Sequence, residues 1–299
     1  MNLSRLKAPA LPKRKVEVRR IHLLPLLSLT FLILLIIFAI IGPKLGGGWN
    51  SAIGTPYAAP SPKHLLGTDD LGRDELARLA YGARLSLCIG SFSLILTLLI
   101  GVTVGLTSTF AGTFVRNLLM RFTDAMFSFP DILLAILIAG VLQTKSFPSN
   151  EWYSPLFTSG ILPVVIALSI TSWPAYSRLV YTQSMALKER EFVVAAKAQG
   201  ASRYYLAVKH VLPQLWALLA AIGTIDLAGF ILAESSLSFL GIGVLPPEPS
   251  WGSMINTARE NMQGHPLWLL WPCLILSLTI FALNFVGEWL RRELDKGRY

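Results

Sequence analysis

The sequence predicts an all-α integral membrane protein with about six transmembrane helices. Hydrophobic residues make up 53% of its 299 residues, charged residues make up only 14%, and the mean hydropathy is +0.57. A soluble domain carries about a quarter charged residues, because it must cover its surface with them. Long apolar runs separated by charged segments instead fit a chain that crosses a bilayer several times.

The basic excess of the chain, 26 Lys and Arg against 17 Asp and Glu, does not indicate a nucleic-acid partner. Nucleic-acid binding needs a basic face on a soluble domain, whereas these residues lie between apolar runs, as orientation signals do. Cys88 and Cys273 both lie inside apolar stretches. Two cysteines are too few for a disulfide framework or a zinc site, so we interpret them as small buried hydrophobes and expect no metal.

The first transmembrane span is predicted at residues 23–41, after a basic cytoplasmic tail at residues 1–22. A helix over this uncharged run reaches about 28 Å, enough to cross the hydrocarbon core. The run ends at Gly42-Pro43 without the small-residue cleavage site of a signal peptide, so we expect it to remain uncleaved. Residues 42–84 are polar and rich in Gly and Pro, which indicates an external region.

Residues 85–289 form the predicted transmembrane core. The second span runs from Leu85 to about Phe110, and its Gly101 and Gly105 form a small-xxx-small pair that permits close helix contact.

The third span needs a start near Leu118, because the uncharged run Ile132–Thr144 is too short to cross alone. Pro130 should kink or break this span.

The last three spans are predicted at Ile161–Val180, at about Leu212–Leu240 and at about Leu267–Trp289, followed by a cytoplasmic tail at residues 290–299. With the N-terminus inside, 19 of the 26 Lys and Arg lie on the cytoplasmic side. Cytoplasmic segments carry this kind of excess, so both termini are predicted to be cytoplasmic.

The segment between the fourth and fifth spans, residues 184–213, is too polar to cross a membrane and too long for a simple turn. Lys188–Gln199 has no helix breaker, Gly200 is placed as a C-terminal cap, and Ser202 can cap a second helix. The small side chains of Ala195 and Ala196 would let the surface of another protein approach. We therefore predict a helical hairpin on the cytoplasmic face that docks a partner.

This hairpin resembles the cytoplasmic motif EAA–x3–G–x9–I–x–LP of binding-protein-dependent ABC importer permeases. Five residues match it at the family spacing, with Val194 in place of its glutamate and His210 in place of its isoleucine. The resemblance assigns ATPase coupling to Glu191, Val194, Ala195, Ala196, Gly200, Ala201, His210, Leu212 and Pro213.

Further stretches extend the resemblance over nearly the whole chain and point to the oligopeptide, dipeptide and nickel branch, as its second or C-type permease subunit. They include Arg121 and Asp124 through Pro130, Glu234 through Gly252, and the tail Phe285–Asp295. An external signature loop HxLGTDxLGRD is formed by His64, Gly67, Thr68, Asp69, Gly72, Arg73 and Asp74.

The resemblance implies a type I importer permease fold and a multi-pass protein of the bacterial inner membrane, in contact with lipid. It also implies three kinds of protein partner: a homologous second permease, two cytoplasmic ATPases and an extracytoplasmic substrate-binding protein. No GxxxxGK[ST] phosphate loop occurs in the sequence. We therefore expect a transport subunit that is not an enzyme and holds no cofactor, with ATP and Mg bound by the partner ATPase.

Two carboxylates inside the fifth span, Asp226 and Glu234, are candidate pathway-lining residues, because intramembrane acids usually face a cavity or a partner. They lie about two turns apart on nearly the same helix face. For Glu234 we prefer a structural hydrogen bond near the external end, which leaves Asp226 as the better candidate for substrate specificity.

Three other interpretations stay open at this point. The external signature loop could be a catalytic or metal site, although a Gly-turned loop whose Asp and Arg hold one another fits better, since a lone His lacks ligand spacing. A secondary transporter would show an internal repeat, and the hairpin has no counterpart in the first half. A membrane enzyme would need a clustered nucleophile and base inside the spans.

The sequence leaves the substrate undefined among peptides, nickel chelates and some glycosides.

Overall fold

The computed structural model describes residues 23–52, 54–144 and 154–296, and in these ranges the chain is helical apart from loops and two isolated β-bridges. The predicted N-terminal tail, the loop at residues 145–153 and the last three residues lie outside the described residues. The helices are α1 (Leu23–Ile41), α2 (Glu75–Phe110), α3 (Thr113–Met126), α4 (Asp131–Gln143), α5 (Ser154–Thr158), α6 (Ile161–Lys188), α7 (Glu191–Ala198), α8 (Arg203–Tyr205), α9 (Leu212–Phe239), α10 (Trp251–Glu260) and α11 (Pro266–Lys296), with a 3-10 helix at Gly42–Gly47 and a π-helix at Leu206–Val211.

Four helical runs in the described ranges are long and apolar enough to cross a membrane, and α3 with α4 makes a fifth if the bent pair is one span. The four begin with α1, with α2, at Arg203 and with α11. The predicted fourth span, Ile161–Val180, lies within α6, which is not among them. This helix carries Ser, Thr, Pro and Arg178 along its length. Much of it is buried against the other helices, where side chains do not face lipid and need not be apolar.

The second span begins ten residues earlier than predicted, at Glu75 instead of Leu85. Asp74 caps this start, because its carboxylate accepts a hydrogen bond from the backbone N–H of Ala77 at 2.8 Å. The polar first turns look external in the sequence, but Arg78 is buried there with its Nε 3.1 Å from a carboxylate oxygen of Asp69. The ion pair lets the helix extend through a charged stretch.

The break predicted at Pro130 is present, and it divides the third span into two helices that meet at 90°. α3 begins at Thr113, five residues before the predicted start, and α4 covers only 13 residues. Pro130 has the extended backbone conformation that precedes a helix, with ψ of 121°, so α4 starts afresh at Asp131.

Close contact of α2 with α6 is confirmed at the glycine pair. A Cβ atom added to Gly101 would lie 3.0 Å from the carbonyl oxygen of Trp173 and 3.1 Å from the backbone nitrogen of Ser177. A Cβ atom added to Gly105 would lie 2.8 Å from the carbonyl oxygen of Ser177. The backbones of α2 and α6 are therefore in contact at these two glycines, where α2 has no side chain to separate them.

Buried apolar side chains form three clusters along the bundle. One includes Ile89, Val164 and Leu237, and a second surrounds Trp251, whose indole N–H donates to the carbonyl of Leu79 at 3.2 Å. The third lies at the hairpin end and is formed by Leu106, Phe110, Tyr176, Val180, Val193, Leu206, Ala207, Val211, Leu215 and Leu219. We call it the hairpin cluster.

The last helix also exceeds its prediction, since α11 continues to Lys296 and includes most of the predicted tail at residues 290–299. Its extension carries an i, i+4 pair in which Arg292 Nε lies 2.9 Å from Glu288 Oε1. Such pairs support a helix beyond the apolar segment.

Candidate functional site

The predicted hairpin is present, but its first helix is shorter than Lys188–Gln199. Lys188 ends α6, the chain bends at residues 189–190, and α7 covers Glu191–Ala198. Gly200 follows α7 with φ of +88°, the left-handed conformation that suits glycine at a helix end. Ser202 caps the next helix as predicted, with its hydroxyl accepting from the backbone N–H of Tyr205 at 3.2 Å.

The second arm of the hairpin is continuous with the fifth span. Arg203 through Phe239 forms one helical run, in which the π-helix Leu206–Val211 lies directly before Leu212 and Pro213. Pro213 has no backbone N–H with which to form the hydrogen bond of a regular α-helical turn. The wider turns of the preceding π-helix accommodate this missing bond. The hairpin therefore has no flexible joint between its second arm and the membrane.

Contacts from one end of the hairpin to the other attach it to α2 and the hairpin cluster. Val193 is 1% exposed within that cluster. Lys188 Nζ donates to the carbonyl oxygen of Thr109 at 3.1 Å, and Arg203 Nη1 donates to that of Phe110 at 3.4 Å. Cations at the last carbonyls of a helix are favourable. Sequence reasoning missed these three residues, because no motif distinguishes them from other charged or apolar positions.

The outward face of α7 is exposed and partly apolar. Glu191, Val194 and Ala195 are exposed, whereas Ala196 and Ala201 are half-buried against the hairpin cluster. Exposed aromatic and aliphatic groups accompany them, notably Phe192 on α7 and Tyr204. His210 is half-buried, with its ring centroid 5.4 Å from that of Tyr205 and 6.4 Å from that of Phe192. Apolar patches rimmed by polar groups occur at protein–protein and membrane contact surfaces.

The external signature loop is held by ion pairs around Asp69. One of its carboxylate oxygens lies 2.6 Å from Arg73 Nε and 3.1 Å from Arg78 Nε, and the other accepts from the backbone N–H groups of Leu71 and Arg73. His64 Nδ1 lies 2.9 Å from Asp74 Oδ2. These contacts agree with the preferred interpretation of a loop whose charged groups hold one another.

The remaining signature residues shape the same loop. Thr68 is buried, and its hydroxyl donates to the carbonyl of Thr55 at 2.6 Å. Gly67 and Gly72 both have positive φ and lie against neighbouring backbone. Within the residues that the structure describes, no group of three or more His, Cys, Asp or Glu side chains could hold a metal ion.

Asp226 lines a cavity of about 320 Å³ between α4, α6 and α9. Its Oδ2 accepts a hydrogen bond from the Tyr176 hydroxyl at 2.6 Å. Asp131 lines the same cavity from the first turn of α4, together with the hydroxyl residues Thr171 and Ser172. We call this the Asp226 cavity; its two carboxylates suit a positively charged group.

Glu234 does not line that cavity and is fully buried. Its Oε2 accepts from the hydroxyl of Ser86 at 2.9 Å and lies 3.4 Å from that of Ser235, and its Oε1 accepts from that of Ser238 at 2.8 Å. The Ser238 hydroxyl in turn accepts from the backbone N–H of Val244 at 3.0 Å. Glu234 thus joins α2 to the turn after α9, as a structural hydrogen-bond centre would.

Sequence comparisons identify relatives over most of the chain. The family model of binding-protein-dependent transport system inner membrane components matches residues 85–298. The glutathione transport system permease protein GsiD of Pectobacterium atrosepticum is 36% identical over 236 residues, which cover 79% of this chain and 73% of that protein. The dipeptide transport system permease protein DppC of Alkalihalophilus pseudofirmus is 34% identical over 284 residues, 94% and 88% of the two chains. A putative peptide permease protein of Brucella suis is 35% identical over 240 residues, 80% and 74% of the two chains.

Structure comparison finds the same architecture in the MetNI methionine ABC transporter, solved in inward-facing conformations. The TM-score is 0.57 at 16% sequence identity, with 72% of this chain and 95% of that chain covered. A second crystal form gives a TM-score of 0.55. At this identity the likeness concerns the fold alone, that of a type I permease. The chain therefore belongs to the family of binding-protein-dependent transport system inner membrane components, the permease subunits of ATP-binding cassette importers.

Proposed function

We propose that this chain forms half of a peptide-import pathway in a bacterial inner membrane, beside a homologous second permease. Two cytoplasmic ATPases would bind ATP and Mg, and an extracytoplasmic binding protein would deliver the solute. The solute class rests on relatives named for glutathione, dipeptide and peptide transport. An importer permease needs ATPase and binding-protein partners in any case, and this number and pairing of subunits is our inference from the family arrangement.

We assign ATPase coupling to α7 and the turn at Gly200. The observation that carries this assignment is that α7 exposes Val194 and Ala195 while burying Val193 in the hairpin cluster. A helix held on one face and open on the other can dock a partner without losing its position on the bundle.

With this assignment, coupling is a rigid-body movement. When two ATPases close around bound ATP, each displaces the α7 helix that is docked on it. Lys188 and Arg203 pass that displacement to the end of α2, and the continuous run from Arg203 passes it into α9. Packed helices move as bodies, so the pathway opens to alternate sides without chemistry in this chain.

We assign solute contact within the membrane to the Asp226 cavity. Its carboxylates come from α4 and α9, which belong to different parts of the bundle, so a relative movement of the helices would change their separation. The charge of these carboxylates favours the protonated amino end of a peptide.

The experiment that tests this function compares two substitutions at Ala195. The tagged chain is purified from its native membrane in mild detergent, its partners are identified by mass spectrometry, and ATP-driven peptide uptake is measured in vesicles. Ala195→Trp should abolish ATPase co-purification and reduce uptake at least about tenfold, because a bulky side chain blocks docking at an exposed position. Ala195→Ser keeps the surface small and should behave as wild type.

Equal recovery of ATPases with the Ser and Trp variants would overturn the coupling assignment. A wild-type chain that purifies alone would overturn the proposed assembly. Membrane levels of both variants serve as the control for insertion, and Ala195 suits this purpose because it is exposed, whereas Ala196 is half-buried and a large residue there would disturb packing.

A further inference from the structure

A second cavity, of about 190 Å³, lies between the external signature loop and α10. We call it the Glu75 cavity. Its ionisable lining residues include four carboxylates and two guanidinium groups, namely Asp69, Asp70, Glu75, Glu248, Arg73 and Arg78. Nothing in the coupling or pathway roles proposed above uses it, and its location outside the membrane rests on the predicted topology.

The two guanidinium groups of this cavity are already committed to two of its carboxylates. Arg73 and Arg78 both pair with Asp69, at 2.6 and 3.1 Å, and Arg73 Nη2 also lies 3.5 Å from Asp70. Glu75 and Glu248 are left as carboxylates of the cavity wall that neither arginine neutralises by direct contact. The carboxyl groups of the wall therefore outnumber its guanidinium groups by two.

Neither excess carboxylate is fully satisfied by the protein. Glu75 is 4% exposed, and the salt bridges of Arg73 and Arg78 go to Asp69 and Asp70 and not to its carboxyl group. The Glu248 side chain accepts a hydrogen bond from the Tyr81 hydroxyl, but in the described residues its Oε2 is buried without a partner. Burying a carboxylate without hydrogen-bond donors costs free energy. A positively charged donor that enters the cavity can therefore form the hydrogen bonds that the protein does not supply.

The cavity lining also includes two aromatic side chains, Tyr57 and Trp268. Tyr57 and Trp268 meet edge to face with their ring centroids 5.1 Å apart. Burial, with Asp70 nearby, raises the pKa of the Tyr57 hydroxyl, so this ring stays neutral. Aromatic rings attract cations, and the volume equals that of roughly six water molecules, which suits a small amine or the end of a lysine side chain.

We propose that the Glu75 cavity binds a primary ammonium group between the carboxylates of Glu75 and Glu248, beside the rings of Tyr57 and Trp268. A metal ion is the less suitable occupant, because these two carboxylates do not belong to a group of three ligands. The ammonium group can come from a lysine side chain of an extracytoplasmic protein or from a small free amine, and the chemistry of the site is the same for both.

Binding of n-propylammonium to the full chain, in nanodiscs of zwitterionic lipid, tests the proposal by saturation-transfer NMR. We expect transfer to n-propylammonium and none to n-propanol, which has the same size but no charge. Combining Glu75→Gln with Glu248→Gln should weaken binding about tenfold or more. Glu260→Gln removes a charge from an exposed position at the C-terminal end of α10, outside the lining of the cavity, and should leave binding unchanged.

Equal transfer to the amine and the alcohol, or equal binding by the wild type and the double variant, would overturn the proposal. Carbodiimide treatment of native membranes then separates the two sources, because it joins a carboxylate to an amine in contact with it. A protein adduct that the double variant loses and Glu260→Gln keeps identifies a lysine donor. Absence of that adduct, with n-propylammonium binding retained, assigns the site to a free amine. The proposal does not depend on ATPase docking at α7, so its failure would leave the Ala195 result intact.

Discussion

Asp226 and Glu234 lie eight residues apart on α9, yet their surroundings differ in kind. Glu234 is surrounded by serine hydroxyls that donate to it, so its hydrogen-bonding capacity is satisfied by the protein. Within the residues that the structure describes, Asp226 accepts a hydrogen bond from one side chain, Tyr176, and it faces a cavity that it shares with Asp131. A carboxylate with free acceptor capacity beside a cavity can bind a solute, and one saturated by the protein cannot.

Asp226→Asn should lower the uptake of a dipeptide with a free amino terminus by about tenfold, since a charge-assisted hydrogen bond becomes a neutral one. Uptake of the N-acetylated dipeptide should not change. Tyr176→Phe removes the donor to Asp226 but keeps the carboxylate, so the preference for the free amino terminus should remain. The measurement is uptake into vesicles at saturating binding protein, and equal losses for both dipeptides would contradict a role in recognising the amino group.

At the scale of elements, the hairpin depends on the conformation of one residue between two short helices. Gly200 has φ of +88°, while a Cβ atom there would have open space within 4 Å. The requirement is therefore conformational and not steric. Residues other than Gly and Asn pay an energetic penalty of about 1 kcal/mol in this region, and proline cannot enter it.

When residue 200 is Gly, Asn, Ala or Pro, the transport rate should decrease in that order, and the Pro variant should be inactive. Pro also removes the backbone hydrogen bond from the Gly200 N–H to the carbonyl of Lys197, which is 3.0 Å long. Membrane insertion should be the same throughout, because the turn lies outside the spans. ATP-driven uptake, normalised to the amount of protein in the membrane, checks the ranking. Wild-type uptake by the Pro variant would argue against coupling through this turn.

For the whole molecule, the distribution of basic residues predicts which ends face the cytoplasm. Cysteine labelling checks this orientation in a variant in which Cys88 and Cys273 are replaced by Ala. A membrane-impermeant maleimide should label Lys63→Cys in intact cells and Gln199→Cys only after permeabilisation. Both positions are exposed, so accessibility is set by the membrane and not by the fold. Labelling of Gln199→Cys in intact cells would contradict the orientation.

Sequence reasoning predicted those features that depend on local composition. The helix α1 covers residues 23–41, where a helix was predicted, the chain bends at Pro130, and Gly101 contacts α6. The start of α2 at Glu75 was not predictable, because the partner that neutralises Arg78 is set by loop packing. Val193 as the anchor of α7, and Tyr176 as the partner of Asp226 fifty residues away, likewise follow from helix packing alone.

The length of α2 gives the molecule a mechanical property. Its 36 residues span about 54 Å without a proline, from Glu75 in one cavity wall to the carbonyls that hold Lys188 and Arg203. Such a rod is a lever: one degree of tilt about its midpoint moves each end by about 0.5 Å, in opposite directions. A movement of α2 at one membrane surface is then coupled to a movement of its other end at the opposite surface. A ligand that favoured one tilt at the outer end would favour the matching position of the hairpin, and by reciprocity an ATPase docked as proposed would change the affinity of the outer cavity by the same factor.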